Sequence, residues 1–304
     1  MTGDLDRDTA MAALAQALPY IRLYRGKLFV LKVGGASASP DSIRRLVEQI
    51  GVLSEFGIRI VLVHGGGPQA TGLAERLGVP TTMIEGRRVT SPETLEVAVM
   101  ALNGTVNTAL LSACRAAGLP AIGLSGIDAG LVRASLRPPL PIDFGEVGDV
   151  VSVDGSVIER LLDAGFLPVI SPLAAADDGR ILNVNADTVA SALAAALSAE
   201  KLVFLTDTEG LLEDPRDAGS TISYVDLEGL EALRESGALQ GGIRPKVDAT
   251  RAALAGGVRR VHMVGHAHPR GLLIEIFTNE GAGTLIVRSR ADLSLAEQTA
   301  TVVP

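Results

Sequence analysis

The chain has 304 residues, 47% of them hydrophobic, with a net charge of −8, one cysteine and no tryptophan. An aromatic fraction of 3% cannot build the stacking platforms of single-strand nucleic-acid binders, and the acidic balance disfavours a phosphate backbone as partner. A lone cysteine, Cys114, allows no internal disulfide or thiolate metal cluster, which favours a reducing, cytoplasmic setting. Without a signal-peptide pattern or an apolar run of about 20 residues, we expect no membrane segment.

The first predicted element is an amphipathic helix. Met11, Leu14, Leu18 and Ile21 are spaced by three, four and three residues, which places them on one helical face. Pro19 falls inside this stripe and should kink the helix, because proline lacks a backbone donor and clashes with the preceding turn. The apolar face could pack on its own subunit or on a neighbouring subunit.

Eight short aliphatic runs then predict buried strands. They are Leu28–Val33, Ile58–His64, Ala121–Leu124, Val150–Val153, Leu167–Ser171, Leu202–Thr206, Arg260–Val264 and Thr284–Val287. The helical stretches between them are Ser42–Phe56, Gln69–Leu77, Pro92–Ala117, Ala186–Ala199 and Pro245–Ala255. This alternation predicts an α/β fold, a three-layer α-β-α sandwich around a mostly parallel sheet of about eight strands. Because ligands bind beyond the carboxyl ends of such strands, functional motifs should follow strands directly.

Glycine-rich motifs follow the first two predicted strands. Lys32 stands near the end of the first strand and is followed by Gly34 and Gly35, while Gly65–Gly67 follow the second strand. Glycine lets backbone N–H groups approach an anion closely, and the lysine adds a full charge beside them. Neither motif is a Walker A loop or a dinucleotide fingerprint. His64, just before the second loop, is expected to orient that loop rather than to act as a base.

Polar motifs further along the chain add an arginine, an aspartate and a second lysine. Gly86–Thr90 carries Arg87 and Arg88, and arginine binds carboxylates in a bidentate manner. Asn183–Asp187 holds more polar groups than a single helix cap needs. The loop Thr206–Leu211 follows a strand, and Gly241–Lys246 brings Lys246 to a helix start. Because the helix dipole disfavours a cation there, Lys246 should have an anionic partner.

This set of residues suits phosphoryl transfer to a carboxylate. The sequence shows no serine–histidine–acid arrangement, and His262, His266 and His268 lack the spacing of a zinc site, so these histidines are expected to be structural or regulatory. A carboxylate with an ordinary pKa near 4 is already ionised at neutral pH, so it needs no general base. Catalysis then depends on alignment and on neutralising the charge of the transferred group, which lysines and backbone N–H groups can do.

Taken in order, these motifs resemble the amino acid kinase family over nearly the whole chain, and within it the members that act on N-acetyl-L-glutamate. The resemblance implies that Lys32 and Lys246 are catalytic and that Asp187 holds both lysines. It implies that N-acetyl-L-glutamate is bound by Gly66, Gly67, Arg88 and Asn183. It implies that phosphates and ATP are bound by Gly34, Gly35, Gly65, Thr206, Asp207, Gly210 and Leu211. Mg²⁺ would accompany ATP, and no metal site built by the protein alone is expected.

The same resemblance implies domain organisation and regulation. Residues 1–26 would form the kinked helix, 27–198 an acyl-amino-acid-binding lobe, and 199–304 an ATP-binding lobe of one continuous kinase domain. The helix would interlace dimers into a homo-hexamer, a trimer of dimers. L-arginine would act as a feedback inhibitor, and its site would be formed by Lys201, His268, Glu275, Gly281 and Gly283.

Two departures from the family pattern leave the acyl-amino acid open. Arg87 stands where the family usually has an apolar residue, and Ser135–Pro141 is proline-rich. An N-acetyl-aminoadipate kinase is the alternative enzyme, and a non-catalytic arginine sensor is the alternative from another class. Retention of both lysines and Asp187 argues against a sensor. A nicotinamide-dependent dehydrogenase is disfavoured by the missing dinucleotide fingerprint.

Overall fold

The structure is a computed structural model that describes residues 7–35, 39–84, 86–214, 216–217, 219–237, 239, 242–279 and 281–293. Gly241, part of the second lysine motif, lies outside the described residues. The helices are α1 Arg7–Tyr24, α2 Pro40–Glu55, α3 Gly67–Leu77, α4 Pro92–Val99, α5 Thr108–Ala116, α6 Ser156–Asp163, α7 Ala186–Ala196, α8 Leu227–Glu235, α9 Ile243–Ala255 and α10 Gly271–Phe277. The strands are β1 Leu28–Val33, β2 Arg59–His64, β3 Thr82–Ile84, β4 Arg87–Val89, β5 Ala121–Ser125, β6 Val132–Leu136, β7 Gly148–Val153, β8 Leu167–Ser171, β9 Leu173–Ala175, β10 Ile181–Asn183, β11 Lys201–Thr206, β12 Tyr224–Asp226, β13 Arg260–Gly265 and β14 Gly283–Val287.

An eight-stranded sheet forms the centre of the molecule, which confirms the predicted fold class. The strand order is β12-β14-β13-β11-β1-β2-β8-β5, and the six strands from β13 to β5 are parallel. The pair β14 and β12 runs in the opposite direction, because β14 is antiparallel to β13. In the register, Val33 lies opposite both His64 and Leu205, so β1, β2 and β11 end at one level of the sheet. The motifs that follow these strands therefore meet at one edge.

One predicted strand belongs to a different sheet. Val150–Val153 was expected in the central sheet, but β7 lies in a second, four-stranded sheet of order β10-β9-β6-β7. Its residues are largely half-buried or exposed, as suits a sheet with a solvent face, and Val151 is exposed. The eighth central strand is instead β12, whose three residues are too few to give a recognisable apolar run. A separate hairpin, β3–β4, carries Arg88.

Aliphatic side chains on both faces of the central sheet form the core. Successive residues of a strand point to opposite faces, so Val30 and Leu31 of β1 belong to different clusters. Val30 packs in the cluster that includes residues of α7 and α9, while Leu31 packs in the cluster that includes residues of α2, α5 and α10. The three layers thus follow from the buried, uninterrupted apolar character of the central strands.

The predicted helix Pro92–Ala117 is continuous but not uniform. α4 passes into π-helical turns at Met100–Asn107 and then into α5. By length and composition Pro92–Ala116 could cross a membrane, and it is the single such stretch among the described residues. Here it is packed into the protein, with Leu102 and Leu110 buried. Short π-helical turns within an α-helix occur often at functional sites.

Helix α1 runs from Arg7 through Pro19 to Tyr24 and is only partly packed on the rest of the chain. Ile21 and Tyr24 at its carboxyl end are buried in the cluster beside α10. The rest of the predicted apolar stripe is exposed, since Met11, Leu14 and Leu18 expose 60%, 51% and 41% of their surface. The first half of this helix therefore presents an apolar face that the chain itself does not cover.

Candidate active site

A buried aspartate between two lysines lies at the carboxyl edge of the central sheet. The Nζ of Lys32, on β1, is 2.6 Å from the Oδ1 of Asp187, and the Nζ of Lys246, on α9, is 3.3 Å from its Oδ2. Lys32 and Asp187 each expose only 6% of their side chains, whereas Lys246 exposes 21%. The structure thus provides the anionic partner that the position of Lys246 required.

The electrostatics of this cluster leave one positive charge in excess. Burial lowers the pKa of Lys32, because its attraction to Asp187 offsets the burial only in part and Lys246 adds repulsion. For Asp187, burial alone would raise the pKa, but the charges of Lys32 and Lys246 outweigh it and hold the pKa below its usual value. Asp187 is therefore ionised, and two ammonium groups share one carboxylate. This excess is counted over these three groups, and the weaker attraction of Asp207 to Lys32 offsets it only in part.

The two glycine-rich loops approach each other next to this cluster. The Gly65 N–H donates to the carbonyl of Val33 at 2.8 Å, and Gln69 Nε2 donates to the carbonyl of Gly35 at 2.8 Å. A Cβ atom on Gly35 would lie 2.6 Å from Pro68 Cδ, and one on Gly66 would lie 2.7 Å from Leu102 Cδ2. A side chain on Gly35 would therefore push the two loops apart, and one on Gly66 would have to displace Leu102 of the long helix.

A cavity of about 270 Å³ opens beside the second loop and contains the predicted substrate residues Gly66, Gly67, Arg88 and Asn183, together with Gly65. The Nη2 of Arg88 donates to Thr71 Oγ1 at 2.7 Å and to the Gly67 carbonyl at 3.1 Å. Partial burial lowers the pKa of Arg88, but arginine stays charged at any physiological pH. The cavity therefore has a fixed cation that can hold a carboxylate.

The two asparagines before α7 have different tasks. Asn185 is the N-cap, since its Oδ1 accepts from the backbone N–H groups of Asp187 at 2.8 Å and Thr188 at 3.2 Å. Asn183 lines the cavity and donates from Nδ2 to Thr90 Oγ1 at 3.2 Å. The cap thus accounts for one asparagine only, and Asn183 remains available to a ligand.

Two further arginines line this cavity. Arg87 is exposed at its rim, and Arg137 enters from the proline-rich segment. The guanidinium of Arg137 forms a bidentate pair with Asp149 and lies 5.6 Å from the centre of the Phe144 ring. The sequence singled out the segment but not Arg137, because its contact with Asp149 depends on the register of β6 with β7.

A second cavity, of about 300 Å³, contains most of the residues predicted to bind ATP. Thr206, Asp207, Gly210, Leu211 and Lys246 are among its lining residues. The N–H of Leu211 donates to Thr284 Oγ1 at 2.8 Å, and a Cβ on Gly210 would lie 2.4 Å from that oxygen, so the loop is tied to β14. Gly34, Gly35 and Gly65 do not line this cavity; Gly65 lines the first one. Lys246 thus borders the second cavity, while its neighbour Pro245 borders the first.

Within the described residues, no group of three or more metal-ligating side chains is present. The three histidines close in sequence have separate partners. His262 contacts Lys201 and Glu275, His266 Nε2 is 3.0 Å from Asp207 Oδ1, and His268 Nδ1 accepts from the N–H of Arg270 at 3.2 Å.

The residues predicted to bind arginine fall into two places. Lys201 Nζ donates to His262 Nε2 at 3.0 Å, and His262 Nδ1 donates to Glu275 Oε1 at 2.5 Å. A Cβ on Gly281 would lie 2.8 Å from Glu275 Oε2, which accepts from the N–H of Ala282 at 2.7 Å. These groups lie below α1, where Lys201 Nζ is 4.8 Å from the centre of the Tyr24 ring.

The other two predicted arginine-site residues make different contacts. His268 lies outside this cluster and lines a small cavity with Arg45 and His266. Gly283, at the start of β14, packs against the carbonyl of Met263. The sequence analysis expected His262 to be structural or regulatory but did not place it in this cluster, because its burial between Lys201 and Glu275 arises only when β11, β13 and α10 come together.

A mostly parallel sheet with glycine loops, a lysine pair on one aspartate and two adjoining cavities defines a phosphotransferase class. The chain belongs to the amino acid kinase family, whose model matches residues 27–265. An acetylglutamate kinase from Myxococcus xanthus is 47% identical over 292 residues, covering 92% of this chain and 95% of that protein. The chloroplastic acetylglutamate kinase of Arabidopsis thaliana is 43% identical, covering 92% of this chain and 80% of that protein.

Solved structures show the same fold. N-acetylglutamate synthase from Neisseria gonorrhoeae, complexed with coenzyme A and L-arginine, matches with a TM-score of 0.80 and 29% identity. The match covers 92% of this chain but only 65% of the synthase chain. Carbamate kinase from Giardia lamblia bound to AMP-PNP matches with a TM-score of 0.63 at 17% identity, covering 87% of this chain and 99% of that chain, which is a likeness of fold alone.

Proposed function

We propose that the chain transfers the γ-phosphoryl group of ATP to the side-chain carboxylate of N-acetyl-L-glutamate, giving N-acetyl-L-glutamyl 5-phosphate for arginine biosynthesis. The observation that carries this proposal is the cluster in which Asp187 holds Lys32 and Lys246 next to two cavities. The names of relatives that are 41–47% identical over nine-tenths of the chain support the substrate.

In this proposal the acyl-amino acid occupies the first cavity and ATP the second. Arg88 and Asn183 hold the α-carboxylate and acetamido groups, so that the side-chain carboxylate faces the lysines. One carboxylate oxygen forms a bond to the γ-phosphorus while the bond to the β,γ-bridging oxygen breaks, and ADP leaves with that electron pair. Because the nucleophile is already ionised, no side chain has to accept a proton.

The lysines and the glycine loops stabilise the transferred group. Lys32 and Lys246 neutralise charge on the phosphoryl oxygens, and Asp187 keeps the two ammonium groups in place. Backbone N–H groups of Gly34, Gly35 and the Gly65–Gly67 loop provide further donors. A loose phosphoryl transition state is stabilised by alignment of the reacting groups and by neutralisation of charge, and these lysines and N–H groups can provide both.

Mg²⁺ fits this arrangement as a companion of ATP. It prefers oxygen ligands, keeps several waters and is often held by substrate phosphates with one or two carboxylates. Asp207, whose side chain is 75% exposed at the second cavity, is the carboxylate placed to reach it. The ion would neutralise the β- and γ-phosphate oxygens.

The two cavities support the division into lobes. The residues of the first cavity come mostly from 65–188, within the proposed acyl-amino-acid-binding lobe 27–198. Those of the second come from 206–246, within the proposed ATP-binding lobe 199–304. The central sheet continues across this boundary through the pairing of β1 with β11, so the lobes share one core.

We also propose that L-arginine inhibits the enzyme at the site near α1. Glu275 offers a buried carboxylate, and Gly281 packs so closely against it that a Cβ atom would lie 2.8 Å from Glu275 Oε2. The Neisseria synthase, which shares the fold at 29% identity, was solved with L-arginine. The position of this site against α1 gives a route by which an effector could act on subunit contacts.

The exposed face of α1 supports a homo-oligomer. Met11, Leu14 and Leu18 form an apolar stripe that the subunit itself leaves in water. A second copy of the chain, offering the same stripe, would cover it. Interlaced helices of this kind would join dimers into a hexamer.

The test is an acyl-phosphate assay in which hydroxylamine traps the product as a hydroxamate. N-acetyl-L-glutamate, N-acetyl-aminoadipate and L-glutamate are compared side by side with ATP and Mg²⁺. We expect N-acetyl-L-glutamate to give the highest kcat/KM, by about two orders of magnitude over L-glutamate, because a free amine cannot replace the acetamido contacts. A higher kcat/KM for N-acetyl-aminoadipate would show that this acid, and not N-acetyl-L-glutamate, is the substrate. Absence of product from all three acids would contradict the enzymatic function and favour a non-catalytic sensor.

A further inference from the structure

His64, the residue before the second glycine loop, is completely buried and has a partner on each ring nitrogen. Its Nδ1 lies 2.9 Å from the carbonyl oxygen of Gly65, and its Nε2 lies 3.0 Å from Asn107 Nδ2. A carbonyl oxygen can only accept, so Nδ1 carries the proton and Nε2 must accept. The ring is neutral, since burial lowers the pKa of His64 to about 4.

The orientation of the Asn107 amide is fixed independently of the histidine. Its Nδ2 also donates to the carbonyl of Val169 at 3.1 Å, and that carbonyl cannot donate. The atom between Val169 and His64 must therefore be the nitrogen, which removes the usual ambiguity of an amide side chain. Asn107 thus offers a donor, and only a donor, to His64 Nε2.

Asn107 owes its position to the π-helical turns Met100–Asn107 and to a small residue on β5. It is the last residue of those turns and is buried. A Cβ atom on Gly123 would lie 2.1 Å from Asn107 Oδ1, so only glycine leaves room for the amide. A π-helical segment together with a matched glycine suggests a built arrangement rather than a packing accident.

The carbonyl that His64 holds belongs to the peptide unit that joins Gly65 to Gly66. In a trans peptide unit the C=O and N–H point in opposite directions. A fixed Gly65 carbonyl therefore fixes the direction of the Gly66 N–H, and Gly66 lines the first cavity. A glycine loop is flexible by itself, whereas donors to a developing charge act best when they are held in place before the reaction.

We propose that Asn107 and His64 are positioning residues: the amide of Asn107 selects the Nδ1–H tautomer of His64, which locks the Gly65–Gly66 peptide so that its N–H donates to the transferred phosphoryl group. This inference rests on the proposed function. The π-helical turns Met100–Asn107 would then contribute to catalysis, although Asn107 lines neither ligand cavity.

The tautomer is measured directly on the full-length wild-type chain. The protein is labelled with ¹⁵N at its four histidines, and long-range ¹H–¹⁵N correlation spectra are recorded between pH 6 and 8. The His64 signals are assigned by their loss in His64→Asn. We expect Nδ1 to be protonated and Nε2 unprotonated across the whole range. A proton on Nε2, or a ring that titrates near pH 6.5, would overturn the inference.

The link to catalysis is measured with Asn107→Asp. A carboxylate at this position accepts instead of donating, so the His64 proton should move to Nε2 and the Gly65 carbonyl should lose its donor. We expect kcat to fall about 10- to 100-fold, less than the loss from deleting a donor outright, while KM for ATP stays within about twofold. The matched control is Asn103→Ala, from the same π-helical turns, whose side chain contacts Ser171 and not His64. Full kcat in a variant with the switched tautomer would overturn the inference.

Conservative replacement of His64 gives a test that does not depend on Asn107 variants folding. The amide nitrogen of His64→Asn can occupy the place of Nδ1, whereas that of His64→Gln reaches the place of Nε2. We expect His64→Asn to retain at least about ten times the kcat of His64→Gln at similar melting temperature. Equal losses in both variants would overturn the inference. Absence of turnover in the wild type would overturn the proposed function and with it the donation to a phosphoryl group, whereas the tautomer and the fixed Gly65–Gly66 peptide are tested separately, because the spectra are recorded without substrate.

Discussion

Two buried clusters, each with a lysine and a carboxylate, lie at opposite ends of the neighbouring strands β1 and β11. At the carboxyl end, Lys32 and Lys246 share Asp187. At the amino end, Lys201 is joined through His262 to Glu275. The residue types are similar and both clusters are nearly dry, so the difference between them must lie in charge and neighbours.

The charges of the amino-end cluster are balanced, and those of the carboxyl-end cluster are not. Burial lowers the pKa of His262, and repulsion by Lys201 lowers it further, so His262 stays neutral. Its two ring nitrogens connect one lysine, Lys201, to one glutamate, Glu275. Burial alone would raise the pKa of Glu275, but its contacts with His262, the Ala282 N–H and Lys201 together outweigh burial, and the pKa is lowered. At the carboxyl end, two ammonium groups face one carboxylate beside two open cavities. Excess positive charge next to space for a ligand marks the site that binds an anion.

We expect the largest loss of activity from substitutions in the cluster of Lys32, Lys246 and Asp187. Lys32→Ala and Lys246→Ala should each lower kcat by about 1,000-fold or more, because each removes a full charge from the transferred group. Lys27→Ala is the matched control, because the Lys27 side chain is half-exposed and its Nζ forms a long ion pair of 3.9 Å with Glu200 Oε2. Turnover is measured by the hydroxamate assay with circular dichroism as the test of folding. A kcat within tenfold of wild type would remove that lysine from its role.

Removing the shared carboxylate should affect stability as well as rate. Asp187→Asn leaves two cations without their counter-charge, and we expect the free energy of unfolding to fall by about 3 kcal/mol. The folded pKa of Asp187 is lowered, so its contribution is complete above the ordinary aspartate value and is lost as the pH falls through the folded value. Urea titrations of both chains at pH 7 and at about pH 3, below the ordinary aspartate value, measure this, because the difference between the two chains should shrink at the lower pH. An Asp187→Asn chain as stable as wild type at pH 7 contradicts the account.

The lowered pKa of Lys32 should appear in the alkaline limb of activity. The charged form is required, so kcat should fall with rising pH before the ordinary lysine value of about 10.4 is reached. Because the folded pKa lies below the unfolded one, the burial of charged Lys32 disfavours folding below the folded pKa, and this penalty disappears as the pH rises past it. Lys32→Arg cannot lose its charge and should move the limb upward. Identical limbs would assign the titration to another group.

A smaller effect is expected at the balanced cluster. Glu275→Gln keeps the shape of the side chain but removes the carboxylate, and we expect the half-inhibitory concentration of L-arginine to rise about tenfold or more, the size of a lost charge-assisted contact. The measurement is an arginine titration of the hydroxamate assay. Glu159→Gln, on the exposed face of α6, is the matched control. An unchanged half-inhibitory concentration would place the effector elsewhere.

The smallest effect on chemistry is expected from α1. Leu14→Glu puts a charge on the exposed apolar stripe and should shift the sedimentation coefficient toward a smaller oligomer, while kcat without arginine changes by less than about twofold because the stripe is remote from both cavities. Gln16→Glu is the control, because Gln16 is exposed on another side of the helix. A wild-type chain that sediments as a monomer would contradict the proposed assembly.

The parts of the fold that could be predicted from sequence are those with a local signal. β1, β2 and β11 are mostly apolar runs, so their carboxyl ends and the motifs after them were predicted correctly, while the predicted starts of β2 and β11 differ from the structure by one residue. The sequence also predicted that Lys246 has an anionic partner, because the helix dipole disfavours an unpaired cation at a helix start. The family resemblance named Asp187 for that role, and in the structure Asp187, 59 residues away along the chain, lies 3.3 Å from Lys246 Nζ.

The parts that could not be predicted depend on contacts between distant segments. In the sequence, nothing distinguishes Asn107 from other polar residues of a long helix. Its contact with His64 arises only when the helix packs against β2. Arg137 reaches the first cavity through a bulged antiparallel pair, and β12 has only three residues. Placement of Val150–Val153 in the central sheet was wrong because a β-branched run does not reveal which sheet it joins.

Attack of the side-chain carboxylate on the γ-phosphorus is measured directly by following the oxygen atom that forms the new bond. N-acetyl-L-glutamate labelled with ¹⁸O in its side-chain carboxylate is incubated with ATP and the enzyme in unlabelled water. Hydroxylamine then attacks the acyl carbon and releases phosphate, which retains the bridging oxygen and is analysed by mass spectrometry. We expect one ¹⁸O atom in each phosphate that accompanies hydroxamate. Unlabelled phosphate, formed by attack of water on ATP, would contradict it.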